Sequence, residues 1–376
     1  MKVSVVFGYR NRDSLRVDRC LASLSMQSFK NFDVIFVDYG SDIEFSESVK
    51  CVVKKYSFVK YYYSNVKGYP WNRSHALNTG VQISNSNYIL FGDIDLIYSP
   101  NVLEQLVTLV DEDTQVYSSV YFLPKSFKHF EELSTSLPID FPYSGDSGKG
   151  GVHLVSKKVL EEIRGYDEYY CFWGVEDRDL NSRLEQRGIK SVWIDRLNYP
   201  VYHQWHFVTS NQTKGFFPDR WWDEMNIYFQ LNYSILERND KNWGALIESR
   251  PIEEARPVSY ILPERYVKSY EKSVLICDII DRLSKISSSE CLEIKVRKNK
   301  VNRGLSSFIR IINYIARKCQ FPIGFDYISN VEKEKYSYLE NDIIYLIWQL
   351  IKIKKIILDY NIKEDRGHIV IQLMKG

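Results

Sequence analysis

Tyr88-Ile89-Leu90-Phe91-Gly92-Asp93-Ile94-Asp95-Leu96-Ile97 is an apolar run that breaks into an acidic turn, and a helix-like stretch from Asn101 to Val110 follows it. The pattern is that of a buried strand delivering two carboxylates to one edge of a sheet. In extended backbone, residues i and i+2 point to the same side. Asp93 and Asp95 are therefore expected to converge on one hard cation while Ile94 packs the other way. Mg and Mn suit such a pair, because they take oxygen ligands and accept the phosphate oxygens of a substrate in the same shell. A D-x-D turn alone is also a common solvated turn, so its meaning depends on the segments around it.

Upstream, strands and helices alternate. Residues 3–8 read as a strand, Arg10 to Leu15 as a loop entering a helix through about Gln27, and Asp33 to Val37 as a second strand closed by Asp38-Tyr39-Gly40. A helix over 45–55 and a strand over 58–63 come next. This alternation predicts an α/β fold with a mostly parallel sheet flanked by helices, whose ligands bind beyond the carboxyl ends of the strands. Asp38, Asp93 and Asp95 all fall at such ends; Asp38 also fits an ordinary turn before Gly40.

Four further segments carry candidate chemistry. Gly68 to Gly80 is a loop that becomes a helix, with Gly80 expected as its C-cap. In it Trp71 offers an aromatic plane to a base or sugar and Arg73 a fixed charge to a pyrophosphate, against the plainer alternatives of core packing and a surface ion pair. His75 reads as a capping or packed residue. Gly145 to Gly151 is glycine-rich without the Gly-Lys-Ser/Thr ending of a phosphate loop. Trp173-Gly174-Val175-Glu176-Asp177-Arg178-Asp179 puts three acids at the start of a helix running to about Arg187. The helix dipole accounts for some of that acidity. A tryptophan that excludes water and a glycine that admits a substrate, placed just before a carboxylate, describe a general base for a sugar hydroxyl. His203 and His206 stand three apart after a strand at 191–194, either completing a metal shell with the aspartates or forming a partly buried pair. Phe207 to Asp219 is a candidate lid.

The 376 residues exceed one typical domain. Residues 1–250 sum to a net charge of −4 and residues 251–376 to +6, with Pro251, Pro257 and Pro263 at the change, which sets the expected boundary at 250/251. The six cysteines have no metal-ligand spacing and read as free thiols of a reducing compartment. No apolar run reaches the ~18 residues that a bilayer span needs, and the N-terminus lacks the layout of a signal peptide. Residues 251–376 read as mostly helical, with a strand near Leu292–Val296 and a helix from about Glu332 to Tyr360. Its basic end either packs in a small domain or lies on an anionic membrane surface. The basic residues at 295–303 have no interleaved aromatics, which argues against nucleic acid.

Taken together, residues 1–210 resemble the inverting GT-A glycosyltransferases, most closely the β-1,4-galactosyltransferase-like branch that includes chondroitin-type polymerising enzymes. The resemblance is carried by Arg10-Asn11-Arg12, Trp71-Asn72-Arg73 with Leu77-Asn78, Asp93-Ile94-Asp95-Leu96-Ile97, Gly150-Gly151-Val152, Trp173 to Asp179, and a histidine near the end, all in the family's order. It implies a GT-A, Rossmann-like fold. It implies that Arg10, Arg12, Trp71, Arg73 and Asp93, with Trp173 and Gly174 of the later motif, hold a UDP-sugar. Asp38 would lie near the uracil. It further implies that Asp95 and His206 bind Mn2+ or Mg2+, joined by His203 where the branch has a methionine. Asp177 would be the catalytic base and Glu176 would contact a sugar. Trp71 replaces a phenylalanine, and Val175 and Arg178 replace a glycine and an acid. The implied partners are a UDP-sugar donor and a glycan or lipid-linked glycan acceptor of a bacterial surface polysaccharide. The implied setting is cytoplasmic, at the inner membrane face if the C-terminal part makes peripheral contact; homo-oligomerisation is left open. Transfer to a protein acceptor, and a sugar-binding protein without catalysis, are the competing readings.

Overall fold

The computed structural model describes residues 1–130, 133, 141–145, 150–171, 174–206, 221–261, 272–297, 357–365 and 368–375. The chain divides into two compact units, the first taking in Met1–Ser210 and Trp222–Glu248 and the second resuming at Ser249.

In the first unit the strands are β1 (Val3–Tyr9), β2 (Phe32–Tyr39), β3 (Val59–Ser64), β4 (Tyr88–Gly92), β5 (Leu96–Tyr98), β6 (Thr114–Tyr117), β7 (Val120–Phe122), β8 (Val152–Ser156), β9 (Lys190–Trp193) and β10 (Val201–His203). The helices are α1 (Ser14–Ser25), α2 (Ile43–Val53), α3 (Arg73–Ile83), α4 (Val102–Leu109), α5 (Lys157–Glu162), α6 (Glu176–Gln186) and α7 (Trp221–Leu231). Seven strands form one sheet in the order β3-β2-β1-β4-β8-β6-β9. Only β8 runs against its neighbours. The fold is α/β, as the alternation predicts.

Period-two alternation sorts the core into two layers. On β1, Val3, Val5, Phe7 and Tyr9 meet Val17, Leu21 and Leu24 of α1, Val49 of α2 and Leu106 of α4. On the opposite face Val6, with Ile35, Val37, Ile89 and Phe91, meets Ala76, Leu77 and Val81 of α3, Leu160 of α5 and Leu180 of α6. Gly80 is not the cap of α3: the helix continues to Ile83 and ends on Ser84. A Cβ at Gly80 would lie 2.2 Å from Val6 Cγ1, so the glycine is there to let α3 press onto β1.

A second, three-stranded sheet, β5-β10-β7, stands at the end of β4. The register pairs Leu96 with His203 in antiparallel fashion, while β7 runs parallel to β10. Strands of three residues have no readable periodicity, which is why the sequence did not show this sheet.

The second unit, taken by itself, corrects the mostly helical expectation for its described residues. It contains β11 (Arg256–Ile261), α8 (Lys272–Lys285), β12 (Glu290–Arg297), β13 (Ile357–Asp365) and β14 (His368–Lys375), with the four strands in the order β11-β12-β14-β13. The expected strand at 292–296 lies in β12. The helix expected to reach Tyr360 falls outside the described residues except at its end, where residues 357–360 are strand: Ile357 and Tyr360 are buried and Leu358 is exposed, on a hairpin with β14. Buried Arg250 braces the hairpin through Asp359, 2.9 Å away. Among the described residues no helix is long and apolar enough to cross a membrane.

Asp179 and Arg183, one turn apart on α6, are both fully buried and 2.8 Å apart; Arg238 lies 2.9 Å from the same carboxylate. Removing one side of a buried pair leaves the other charge uncompensated. Asp179→Ala is therefore expected to destabilise the first unit by about 3–5 kcal/mol in denaturant titration.

Candidate active site

The acidic turn carries the chain from the large sheet to the small one, β4 ending at Gly92 and β5 beginning at Leu96. Between them the backbone is a turn, closed by the Leu96 N–H donating to the Asp93 carbonyl at 3.2 Å. The same-side rule for extended backbone therefore does not hold, and the two carboxylates part company, correcting the expectation that they converge. Ile94 is buried in the core, as expected. Asp95 faces the imidazoles: His203 Nε2 is 3.5 Å from Oδ1 and His206 Nε2 is 3.2 Å from Oδ2. Asp93 instead lies 3.2 Å from Arg73.

The register of β5 on β10 and the hydrogen bond from the Gln204 N–H to the Asp95 carbonyl, 3.0 Å, fix this triad. One ligand atom from each of Asp95, His203 and His206 lies within 4.8 Å of the others. Burial opposes ionisation of Asp95, but the hydrogen bond from His206 and the charges of His203 and Arg12 outweigh it and hold the carboxyl below its usual range. Its Oδ1 is buried and accepts no hydrogen bond. A buried acceptor without a donor is costly, and a cation held there would satisfy it. One carboxylate and two imidazoles suit a first-row divalent ion with coordination positions left for substrate oxygens.

Across the cleft, Arg73 opens α3 behind an Asn72 cap, whose side chain accepts from the His75 N–H at 2.9 Å. Its guanidinium donates to Asp177 Oδ1 at 2.9 Å, Asp93 Oδ1 at 3.2 Å and the Gly150 carbonyl at 3.1 Å. The Tyr166 hydroxyl donates to the same Asp177 oxygen at 3.1 Å. Burial and the Asp177 charge push the Tyr166 phenol well up, so it stays a donor. Asp177 Oδ2 accepts nothing from the described residues and lies against Gly150, where a Cβ would come within 2.4 Å of it. One carboxylate oxygen is anchored and the other is left to take a proton. Tyr166 was not singled out in the sequence; its only signal is its position after Gly165, ahead of the acidic segment.

The three acids of α6 differ in their surroundings. Asp179 turns inward to Arg183 and Arg238, Asp177 pairs with Arg73, and Glu176 is buried. Burial, with the Asp177 charge adding and Arg73 opposing, pushes Glu176 up to about 7. Gly174 and Val175 both have left-handed backbone, with φ of +100° and +72°. That conformation suits a glycine at position 175 and makes valine there strained. Arg178 is exposed, its guanidinium 4.4 Å from the Phe229 ring centroid. Trp173 and the lid segment 207–219 lie outside the described residues.

The remaining candidates frame the cleft. Arg10 donates to the Tyr69 carbonyl at 2.7 Å, Arg12 lies close enough to bias Asp95, and Asn11 clasps Asp42 across the ends of β1 and β2. Trp71 is half-buried, edge-on to Tyr39 and close to Gly8. Asp38 is fully buried; it accepts from Tyr61 at 2.6 Å, from the Ser41 N–H at 3.0 Å and from Ser46, so its carboxylate braces the turn after β2. His75 is held between Tyr39 and the Ala245 carbonyl, in a packed role as expected.

Comparison with known proteins matches residues 4–158 to the model for glycosyl transferase family 2, and residues 131–206 to the model for the N-terminal domain of galactosyltransferase. An uncharacterised glycosyltransferase of Rickettsia conorii is 25% identical over 224 residues, 53% of this chain and 35% of that protein. Chondroitin sulfate synthase 3 of Mus musculus is 25% identical over 131 residues, 32% of this chain and 15% of that protein. The match thus spans about a third of the first of these relatives and less of the second. Among solved structures, GalNAc-T7 with UDP, GalNAc and Mn2+ aligns over 64% of this chain and 53% of that one, at 16% identity and a TM-score of 0.45.

Two outcomes are expected. Val175→Gly should gain about 1 kcal/mol, since it relieves roughly 1–2 kcal/mol of left-handed strain and returns part of that as chain entropy; thermal melting reads it. Native Glu176 keeps its proton from pH 4.5, where the unfolded residue loses it, up to about 7. Stability therefore falls as pH rises across that window and stays lower above it. Glu176→Gln should gain on wild type by on the order of 3 kcal/mol between about pH 4 and pH 8.

Proposed function

We propose that this chain, a GT-A glycosyltransferase over residues 4–206, moves galactose or N-acetylgalactosamine from a UDP-sugar to a hydroxyl of a glycan acceptor, with inversion to a β-linkage. The observation that carries the reading is the division of labour at Asp177. Arg73 and Tyr166 hold Oδ1, while Oδ2, beside Gly150, accepts nothing from the described residues. A carboxylate fixed at one oxygen and open at the other is in position to remove the proton of an attacking hydroxyl.

Asp95, His203 and His206 would hold Mn2+ or Mg2+, and the two nitrogens tilt the choice toward Mn2+. When bound, the ion supplies positive charge to the departing diphosphate. Arg73, already paired with Asp93, adds a fixed guanidinium beside the same charge, and Arg10 and Arg12 extend that positive edge along the end of β1. Trp71 offers the exposed part of its ring to the uracil. Glu176, protonated below about pH 7, donates a hydrogen bond to a sugar hydroxyl in the cleft. The match to a galactosyltransferase model supports galactose or its N-acetylamino form as the donor sugar. The acceptor is proposed to be a growing surface glycan, free or lipid-linked, in the cytoplasm.

The test is UDP release from a panel of UDP-sugars, with Mn2+ added or chelated, on wild type and Asp177→Asn. One donor should turn over only with metal, and the substitution should lower kcat at least about a hundredfold, the scale of a lost general base. If UDP is bound but no donor turns over under any metal, the transfer reading fails and sugar binding without catalysis takes its place.

A further inference from the structure

A surface cavity of about 490 Å3 lies beside the imidazole pair, between α1, the segment after β7 and Gln204-Trp205. Among the described residues, Arg16, Arg19, Lys125 and Lys128 line it against one acid, Asp13. Asp13 is committed locally, accepting the Leu15 N–H at 3.1 Å as the cap of α1. Residues 1–250 are net negative, so this concentration of cations inverts the charge of its own surroundings. Among the described residues no carboxylate pairs with Arg16, Arg19 or Lys128. Three like charges facing one cavity repel one another unless an anion sits among them.

Two of the cations are positioned by aromatic rings. The Arg19 guanidinium carbon is 3.8 Å from the centroid of Phe130, and Arg19 also donates to the Gln204 side-chain oxygen at 3.4 Å. Lys125 Nζ is 5.1 Å from the centroid of Trp205. Half-buried Phe127, Phe130 and Trp205 give the cavity the flat apolar walls on which sugar rings lie. Gln204 is the shared wall. Its backbone N–H holds Asp95 and its side chain donates to the Arg16 carbonyl at 3.1 Å, while His203 and His206 flank it in the chain.

We propose that this cavity is a subsite for an anionic group, carboxylate or phosphate, carried on a saccharide, and that it holds the charged part of the acceptor next to the donor end of the cleft. The role as an acceptor subsite rests on the glycosyltransferase reading; the binding of an anionic saccharide does not. Aromatic walls select a sugar and the cations select its charge, whereas a bare anion site would need no rings.

The test measures binding to the full chain by ligand-observed NMR, without donor or metal, of three probes: methyl β-glucoside, methyl β-glucuronide and glucose 6-phosphate. At least one charged probe should bind about tenfold more tightly than the neutral one, and which of the two does so names the anion. The preference should fall below about threefold in Arg16→Ala/Lys128→Ala and persist in the charge-keeping Lys128→Arg, with UDP affinity unchanged in both. Equal binding of neutral and charged probes, or a preference that survives the double substitution in a protein that still binds UDP, would overturn the proposal. Charge-selective binding in a protein that turns over no UDP-sugar would uphold the subsite and sink the transfer reading alone.

Discussion

One guanidinium sets the electrostatics of the cleft. Arg73 stands between Asp93 and Asp177, on different elements, and is itself held by the Gly150 carbonyl. Without it Asp93, Glu176 and Asp177 would crowd like charges into a partly dehydrated space, and each would favour its protonated form. The cost of assembling them is visible at Glu176, which keeps a proton to about pH 7 even with Arg73 nearby. The same contact orients Asp177 by one oxygen, so charge balance and the positioning of the proposed base have one source.

The large-sheet half of this arrangement was legible in the sequence. Alternating apolar strands and helices, and acids at strand ends, were enough to place β1 to β4, and the acidic start of α6 drew attention to Asp177. The small-sheet half was legible only as spacing. His203 and His206 were candidates at three residues apart, but what brings them to Asp95 is the pairing of Leu96 with His203, a long-range register that no local pattern encodes. The expected convergence of Asp93 with Asp95 failed for a related reason: the chain changes sheets between them, and an alternation rule fails where the backbone stops being a strand.

Other residues were legible as anomalies without their cause. Val175 stood out as a departure from glycine, and its left-handed backbone explains why it matters. Gly80 looked like punctuation and is a contact surface, because a glycine's lack of Cβ serves packing as readily as turning. Tyr166 and the Arg16–Arg19 edge went unnoticed because a tyrosine in a tyrosine-rich chain and two arginines on a helix carry no pattern of their own. The four-stranded sheet of the second unit was missed at β13 and β14, because the helix expected from the basic, apolar residues before β13 was carried on to Tyr360, and a hairpin depends on a partner strand that local pattern does not name.

Ile94 acquires a significance that its apolar side chain did not advertise. Asp93, paired with Arg73, follows β4 of the large sheet, Asp95 and its imidazoles stand at the small one, and the short turn centred on this buried residue joins them. Its fit in the core therefore acts as the spacer of the machine. The offset between Asp93 and Asp95 is thus held by how one isoleucine seats in the core, a matter of packing rather than of any charged residue.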